Sequence, residues 1–279
     1  MGQWTVEGPM GLAFDEVTAV KVRLIAGTVA VLATDGTPSL DVESVSGDPL
    51  QVSYEDGVLT ITHPNLTWDG LLKWLRPQRH SAKLTVRVPR KCVTQLGVVS
   101  ATAVLSGITA KASVKSVSGG ITLDGLAGEV DANTVSGALE AQALDGKLNF
   151  TTVSGDLTLA DGWVERLEAN SVSGDVTADV DLDPLGGIHV TSVSGEITLR
   201  LPAEADTSVN LHSVSGDVRS EFADLRRSSM PASHSVSGSL GAGSGQVSVT
   251  TMSGRVMLLR RAPRDTVPEG DEQMEGEAS

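Results

Sequence analysis

SVSGG at 116–120 begins a train of near-copies. It continues as TVSGA at 134–138, TVSGD at 152–156, SVSGD at 171–175, SVSGE at 192–196, SVSGD at 213–217 and SVSGS at 235–239, and Met252-Ser253-Gly254 closes it. The central serines, 118, 136, 154, 173, 194, 215, 237 and 253, are 18, 18, 19, 21, 21, 22 and 16 residues apart. A period of about 20 residues, with short apolar pieces between glycine corners, is the mark of a solenoid whose repeats cannot bury their apolar edges alone.

Aligning the copies on the serine gives columns. Position −1 is Val117, Val135, Val153, Val172, Val193, Val214, Val236 and Met252. Position −4 runs Val114, Ala132, Phe150, Ala169, Val190, Leu211, Ser233, Val249, and position +3 is Ile, Leu or Val throughout. Apolar residues at −6/−4 and +3/+5 alternate with polar ones, as half-buried strands do. The pair at −3 and −2 breaks that alternation and marks a corner, with Ser or Thr at every −2. The glycine at +1 tolerates a sharp bend. Stacked coils set like residues about 4.8 Å apart, so hydroxyls form ladders and branched side chains fill a narrow core. The expected fold is all-β: a single-stranded β-solenoid, parallel β-helix-like, of about seven coils. Leu105-Ser106-Gly107 reads as a degenerate first corner.

Residues 1–90 read as β without the period. WTVEG, VTAVKVRLIAG, TVAVLAT, LDVESVS, LQVSYEDG, VLTITHP and AKLTVRVP are separated by Gly, Pro and Asp turns, which predicts an N-terminal antiparallel β cap over the first coil. An amphipathic insertion at 66–80, LTWDGLLKWLRPQRH, interrupts it. Trp68, Leu71, Leu72, Trp74 and Leu75 are at helical spacing beside Lys73, Arg76 and Arg79. Two readings stand: a short helix packed on the sheet, or an exposed anchor for a membrane surface or protein partner, with Trp68, Leu71, Leu72, Trp74 and Arg76 as the contacts. Residues 91–260 form the solenoid, and the acidic tail 261–279, without apolar periodicity, is expected to be disordered.

A net charge of −14 excludes a nucleic-acid partner, since phosphate binding needs clustered Lys and Arg. Cys92, the single cysteine, rules out an internal disulfide framework and reads as a small buried hydrophobe. The N-terminus shows neither a basic n-region nor a long apolar run, so the expected location is cytoplasmic, with peripheral membrane contact through 66–80.

Chemistry-bearing clusters are sparse. Acidic residues at +2, Asp156, Asp175, Glu196 and Asp217, fall on four successive copies and predict a like-charge column. It reads as a solvated corner, with a hard-cation column as the sharper alternative. His212 and His234 share position −3, a polar column too poor in ligands for a metal. No catalytic motif accompanies the repeated serines, and the coils lack the paired carboxylates and aromatic platforms of polysaccharide-cleaving β-helices. No enzyme activity and no cofactor are expected.

The N-terminal strands, VLTITHPNLTWDG at 58–70, the strand KLTVRVPRKC at 83–92 and the SVSGD train together resemble the DUF4097 family, the Toastrack or adhesin-like β-strand-repeat proteins of bacteria, over about residues 4–260. The resemblance implies a single-stranded β-solenoid in envelope-stress or surface contexts, with no catalytic motif to carry over. The expected function is a non-enzymatic scaffold for a protein partner, such as a membrane-associated regulator. A surface adhesin or carbohydrate-binding module and a self-assembling filament are the alternatives.

Overall fold

A computed structural model describes residues 2–64, 80–230 and 233–262. Among the described residues there are 24 strands and no helix. The strands line two faces of a flattened coil. Leu157–Ser171 and Val176–Ser192 bend from one face onto the other and join the two.

Along the first face the strands run Gly2–Val6, Leu50–Glu55, Val58–Thr62, Ala19–Leu24, Val93–Val98, Ala112–Ser116, Ala127–Thr134 and Asp145–Thr152. The second halves of the two bent strands follow, then Gly245–Thr251, Thr207–Ser213, Ser233–Leu240 and Arg226–Met230. The second face runs Met10–Ala13, Ser39–Ser46, Ser81–Val88, Gly27–Ala33, Thr102–Ser106, Ile121–Asp124 and Leu139–Gln142. After the first halves of the bent strands come Ile197–Pro202, Val256–Arg261 and Val218–Ser220. Pairing is parallel throughout the interior and antiparallel only near the ends of the stack. Within residues 1–90 the antiparallel pairs are the outer ones. Ala19–Leu24 and Gly27–Ala33 pair in parallel with strands on both sides, so this region continues the same ladders as the repeats.

Alternation puts the −4 and +3 columns inside. Phe150, the largest fully buried side chain among the described residues, lies between Ala132 and Ala169 in the ladder, and these two small neighbours make room for the ring. Facing it, Ile121, Leu139, Leu157, Val176, Ile197, Val256 and Val218 are all buried. Interdigitated branched side chains in a thin core, rather than a few large aromatics, exclude water between the faces.

The orientation of the corner, which the repeat columns leave open, is set by hydrogen bonding. The inward residue is the hydroxyl at −2, and the valine at −1 points out. Ser116, Thr134, Thr152, Ser171, Ser192, Thr251 and Ser213 are buried. Their oxygens close the turn: the Gly155, Gly174, Gly216 and Gly254 amides donate to the residue three before each, at 2.8–3.0 Å. This is a side-chain turn that satisfies a backbone donor the ladder cannot reach. The glycine at +1 is needed because successive coils touch there. A methyl on Gly174 would collide with the Gly155 carbonyl oxygen, and one on Gly254 would collide with that of Gly195.

Two expectations are corrected by strand pairing. Leu105-Ser106-Gly107 lies on the opposite corner, since Ser106 is in register with Asp124. The true equivalent of the repeat is Val99-Ser100-Ala101, whose Ser100 hydroxyl donates to Ile25 O, as the later serines do to the coil before them. SVSGS at 235–239 is no corner at all. It lies within Ser233–Leu240, antiparallel to Thr207–Ser213 at the end of the stack. The coil containing Met252-Ser253-Gly254 sits between those containing 193–195 and 214–216, so spatial order departs from chain order.

Candidate interaction surface

The outward valines form a continuous row. In stack order it runs Val135, Val153, Val172, Val193, Met252 and Val214, with exposures between 42% for Val214 and 59% for Met252. At about 4.8 Å per step, this is an apolar ridge roughly 24 Å long. Beside it runs a ladder of serines. Ser136, Ser154, Ser173, Ser194, Ser253 and Ser215 each donate a side-chain hydrogen bond, 3.1–3.3 Å long, to the −1 carbonyl of the coil before. The ladder ties each coil to its neighbour through the same carbonyl that the backbone uses, as in the Ser154 N–H to Val135 O bond of 2.8 Å. The ridge is therefore held on a rigid edge.

The +2 column flanks the ridge. Asp156, Asp175 and Glu196 do follow one another, but their repulsion is relieved by backbone donors: Asp175 N–H donates to Asp156 Oδ1 at 2.9 Å and Glu196 N–H to Asp175 Oδ1 at 2.7 Å. Asp217 is not the next rung. The inserted coil places Arg255 there, 3.3 Å from Glu196 Oε2. Asp217 pairs with Arg219 and Arg227 at 2.5 and 2.7 Å, and the Arg219 hydrogen bond holds its carboxyl below the usual range. Among the described residues no group of three or more His, Cys, Asp or Glu is placed to hold a metal.

The sequence profile of the Toastrack DUF4097 family matches residues 55–259. The chain belongs to the Toastrack family.

No curated protein matches this Toastrack chain. Solved structures similar to it include a candidate adhesin of Bacteroides fragilis, 11% identical, covering 92% of this chain and 97% of that one, with a TM-score of 0.48. A candidate lipid-binding protein of Parabacteroides distasonis is 15% identical, with coverages of 90% and 97% and a TM-score of 0.46. A candidate adhesin of the same species is 12% identical, with coverages of 93% and 97% and a TM-score of 0.41.

The remaining sequence candidates fall as follows. Trp68, Leu71, Leu72, Trp74 and Arg76 lie outside the described residues, as does the tail from 263. His212 and His234 do not stack. His212 is in register with Thr250 and Ser235, while the His234 ring nitrogen is 2.9 Å from Ser229 Oγ across a hairpin. The Cys92 thiol is buried, and that burial pushes its pKa up to about 11, away from thiolate chemistry.

Two features escaped the sequence reading. His63 is buried with Nε2 unpartnered, while its Nδ1 accepts the Ile25 N–H at 3.3 Å. Burial, followed by the neighbouring His80, lowers its pKa to about 4, against a small opposing pull from Asp48. The Nδ1 of both His63 and His80 is engaged by a backbone N–H, that of Ile25 and of Asp48 respectively. The second feature is an open groove of about 560 Å³ beside the protruding Leu185, lined by Glu129, Lys147, Asn149, Glu165 and Arg166 among others. Its two cations are already paired, Lys147 with Glu165 at 3.5 Å and Arg166 with Glu168 at 3.3 Å. Among the described residues no helix is long and apolar enough to cross a membrane.

Proposed function

We propose that this Toastrack chain is a non-enzymatic interaction scaffold whose working edge is the valine ridge. The observation that supports it is the row from Val135 to Val214, which leaves aliphatic side chains about half exposed at a fixed pitch on a corner stiffened by serine and glycine contacts. Contiguous exposed apolar surface rimmed by polar groups marks an interaction site. Threonine and asparagine lie on one side of the ridge and Asp156, Asp175 and Glu196 on the other. The partner that fits is a protein segment carrying apolar side chains in a row with Lys or Arg along one flank. Trp68, Leu71, Leu72, Trp74 and Arg76 enter the reading on their sequence alone, as a second contact. A membrane-associated regulator of the envelope-stress response is the partner class in keeping with the family resemblance.

The test is crosslinked co-purification from separated cytosol and membranes of the natural host, with wild type, Val153→Lys/Val172→Lys and a deletion of 66–80 run in parallel. Both ridge positions are outward, so the double variant keeps the core. The reading expects one stoichiometric protein partner, reduced at least tenfold by the ridge variant and retained by Val153→Leu/Val172→Leu. Undiminished recovery with the lysine variant overturns it.

A further inference from the structure

The last coil is inserted rather than appended. Gly245–Thr251 pairs on one side with 187–192 and on the other with Thr207–Ser213, and Val256–Arg261 pairs with Ile197–Pro202 and Val218–Ser220. The strand before it in the chain, Ser233–Leu240, lies on the far side of Thr207–Ser213. The earlier chain thus leaves a gap one coil wide, with open backbone edges on both faces, and the final segment fills it.

That gap is selective. Arg255 meets Glu196 at 3.3 Å, and Arg261 meets Asp179 at 3.0 Å and Asp181 beside it. Direct stacking of 207–220 on 187–202, which chain order would suggest, forgoes the pairing of Glu196 with Arg255 and of Asp179 and Asp181 with Arg261. The inserted coil hangs on a single connection, Gly241-Ala242-Gly243-Ser244, whose glycines have φ of +58° and +77°. One carboxylate clasps this hinge: Asp206 accepts the Gly243 and Ser244 amides at 2.6 and 3.1 Å and the Ser244 hydroxyl at 3.0 Å.

We propose that residues 245–261 are an exchangeable plug, and that a second copy of this chain supplies the same segment to the gap, giving a reciprocal strand-swapped dimer. The occupant is a second copy because the gap's acidic residues match the arginines of this segment, and because all its ladder bonds are reproduced when it comes from another chain. Only the hinge at 241–244 changes conformation. Protein concentration and the Asp206 clasp then set the balance between closed monomer and swapped dimer.

The test uses full-length chains carrying one new cysteine each. Asn210 and Ser248 are outward partners in the ladder between Thr207–Ser213 and Gly245–Thr251. Asn210→Cys and Ser248→Cys chains are mixed, passed through sub-denaturing urea at high concentration, returned to buffer and oxidised with diamide. The expected product is a disulfide-linked dimer of the two variants, increased several-fold when both also carry Asp206→Ala. Mixing Ser248→Cys with Ser113→Cys, on a distant coil, controls for collision, and the Asn210→Cys/Ser248→Cys chain reports that the pair can close. Swapping is overturned if the double variant closes within one chain while the mixture gives no linked dimer. It is equally overturned if the Ser113→Cys mixture links as well as the Asn210→Cys mixture does.

Discussion

The two ends of the stack are assembled differently. Near the N-terminus the coil formed by Ala19–Leu24 and Gly27–Ala33 stands first, and later chain is laid on both of its sides: Val58–Thr62 and Ser81–Val88 outside, Val93–Val98 and Thr102–Ser106 inside. Each arriving strand finds an edge already in place. Near the C-terminus, Thr207–Ser213 and Val218–Ser220 take the outer position, and the coil beneath them, 245–261, comes last in the chain. Addition requires only one good edge, whereas insertion requires a gap to be held open and recognised. At the C-terminal end the inserted segment brings Arg255 and Arg261 against Glu196, Asp179 and Asp181; the N-terminal end has cross-strand pairs of its own, Lys83 with Glu43 and Arg87 with Asp41, and a buried histidine at its corner.

The largest effect is expected from closing the gap sterically. Gly254→Val drives side-chain atoms into the Gly195 carbonyl oxygen, where even a single methyl has no room, and should cost about 3 kcal/mol or more in urea denaturation. Hydrogen exchange should show the loss at 187–220 and leave 19–62 protected. Equal loss at both ends would break the distinction.

The N-terminal counterpart is a pH test on His63. Its folded pKa of about 4 lies below the ordinary 6.5, so above 6.5 the ring is neutral in both states and contributes no pH dependence. As pH falls from about 6.5 to about 4 the unfolded chain takes up a proton that the folded chain refuses. Stability then declines by about 1.4 kcal/mol per unit, roughly 3 kcal/mol in all. His63→Gln should flatten this decline at the N-terminal end; an unchanged profile assigns it elsewhere.

Thr251→Val removes the acceptor of the Gly254 amide, now 3.0 Å away in a buried corner. About 1–3 kcal/mol should be lost, and Thr152→Val, which orphans Gly155 in a coil stacked in chain order, provides the comparison. The smallest effect belongs to Arg255→Glu, about 1 kcal/mol at low salt and less at high salt, because the pair is solvent-exposed. A salt-independent loss would show that packing, not charge, selects the inserted register.

The solenoid was legible because Val-Ser-Gly recurs with apolar −4 and +3 columns, and both columns are inside. The orientation of the corner was not, because hydropathy alone favours valine over serine for the interior. The buried serine and threonine are explained only by the glycine amides they serve. Stacking in chain order was a wrong assumption. Its warning was present in the copy at 237, where Pro231 and Ser233 replace the apolar residues found at −6 and −4 elsewhere. Asp156, Asp175 and Glu196 stand on successive coils. Asp217 was displaced by a topology that no spacing rule encodes. His63 carried no sequence signal, since a lone histidine at a strand end does not announce its burial.

The close glycine contacts also bear on how such a chain can change over time. At the Val-Ser-Gly corner a carbonyl oxygen rests against the next glycine α-carbon, which leaves no room for a side chain there. The opposite corner is less restricted: Gly146 there meets the Gly128 carbonyl oxygen, but Val164 takes the same position on the next coil. The longer copies, 21 residues against 18, place their surplus there, in the protrusion around Leu185 and the turn at 203–206. One edge is a fixed ruler and the other a margin for insertions, so new loops can be acquired without disturbing the spacing of the exposed valines.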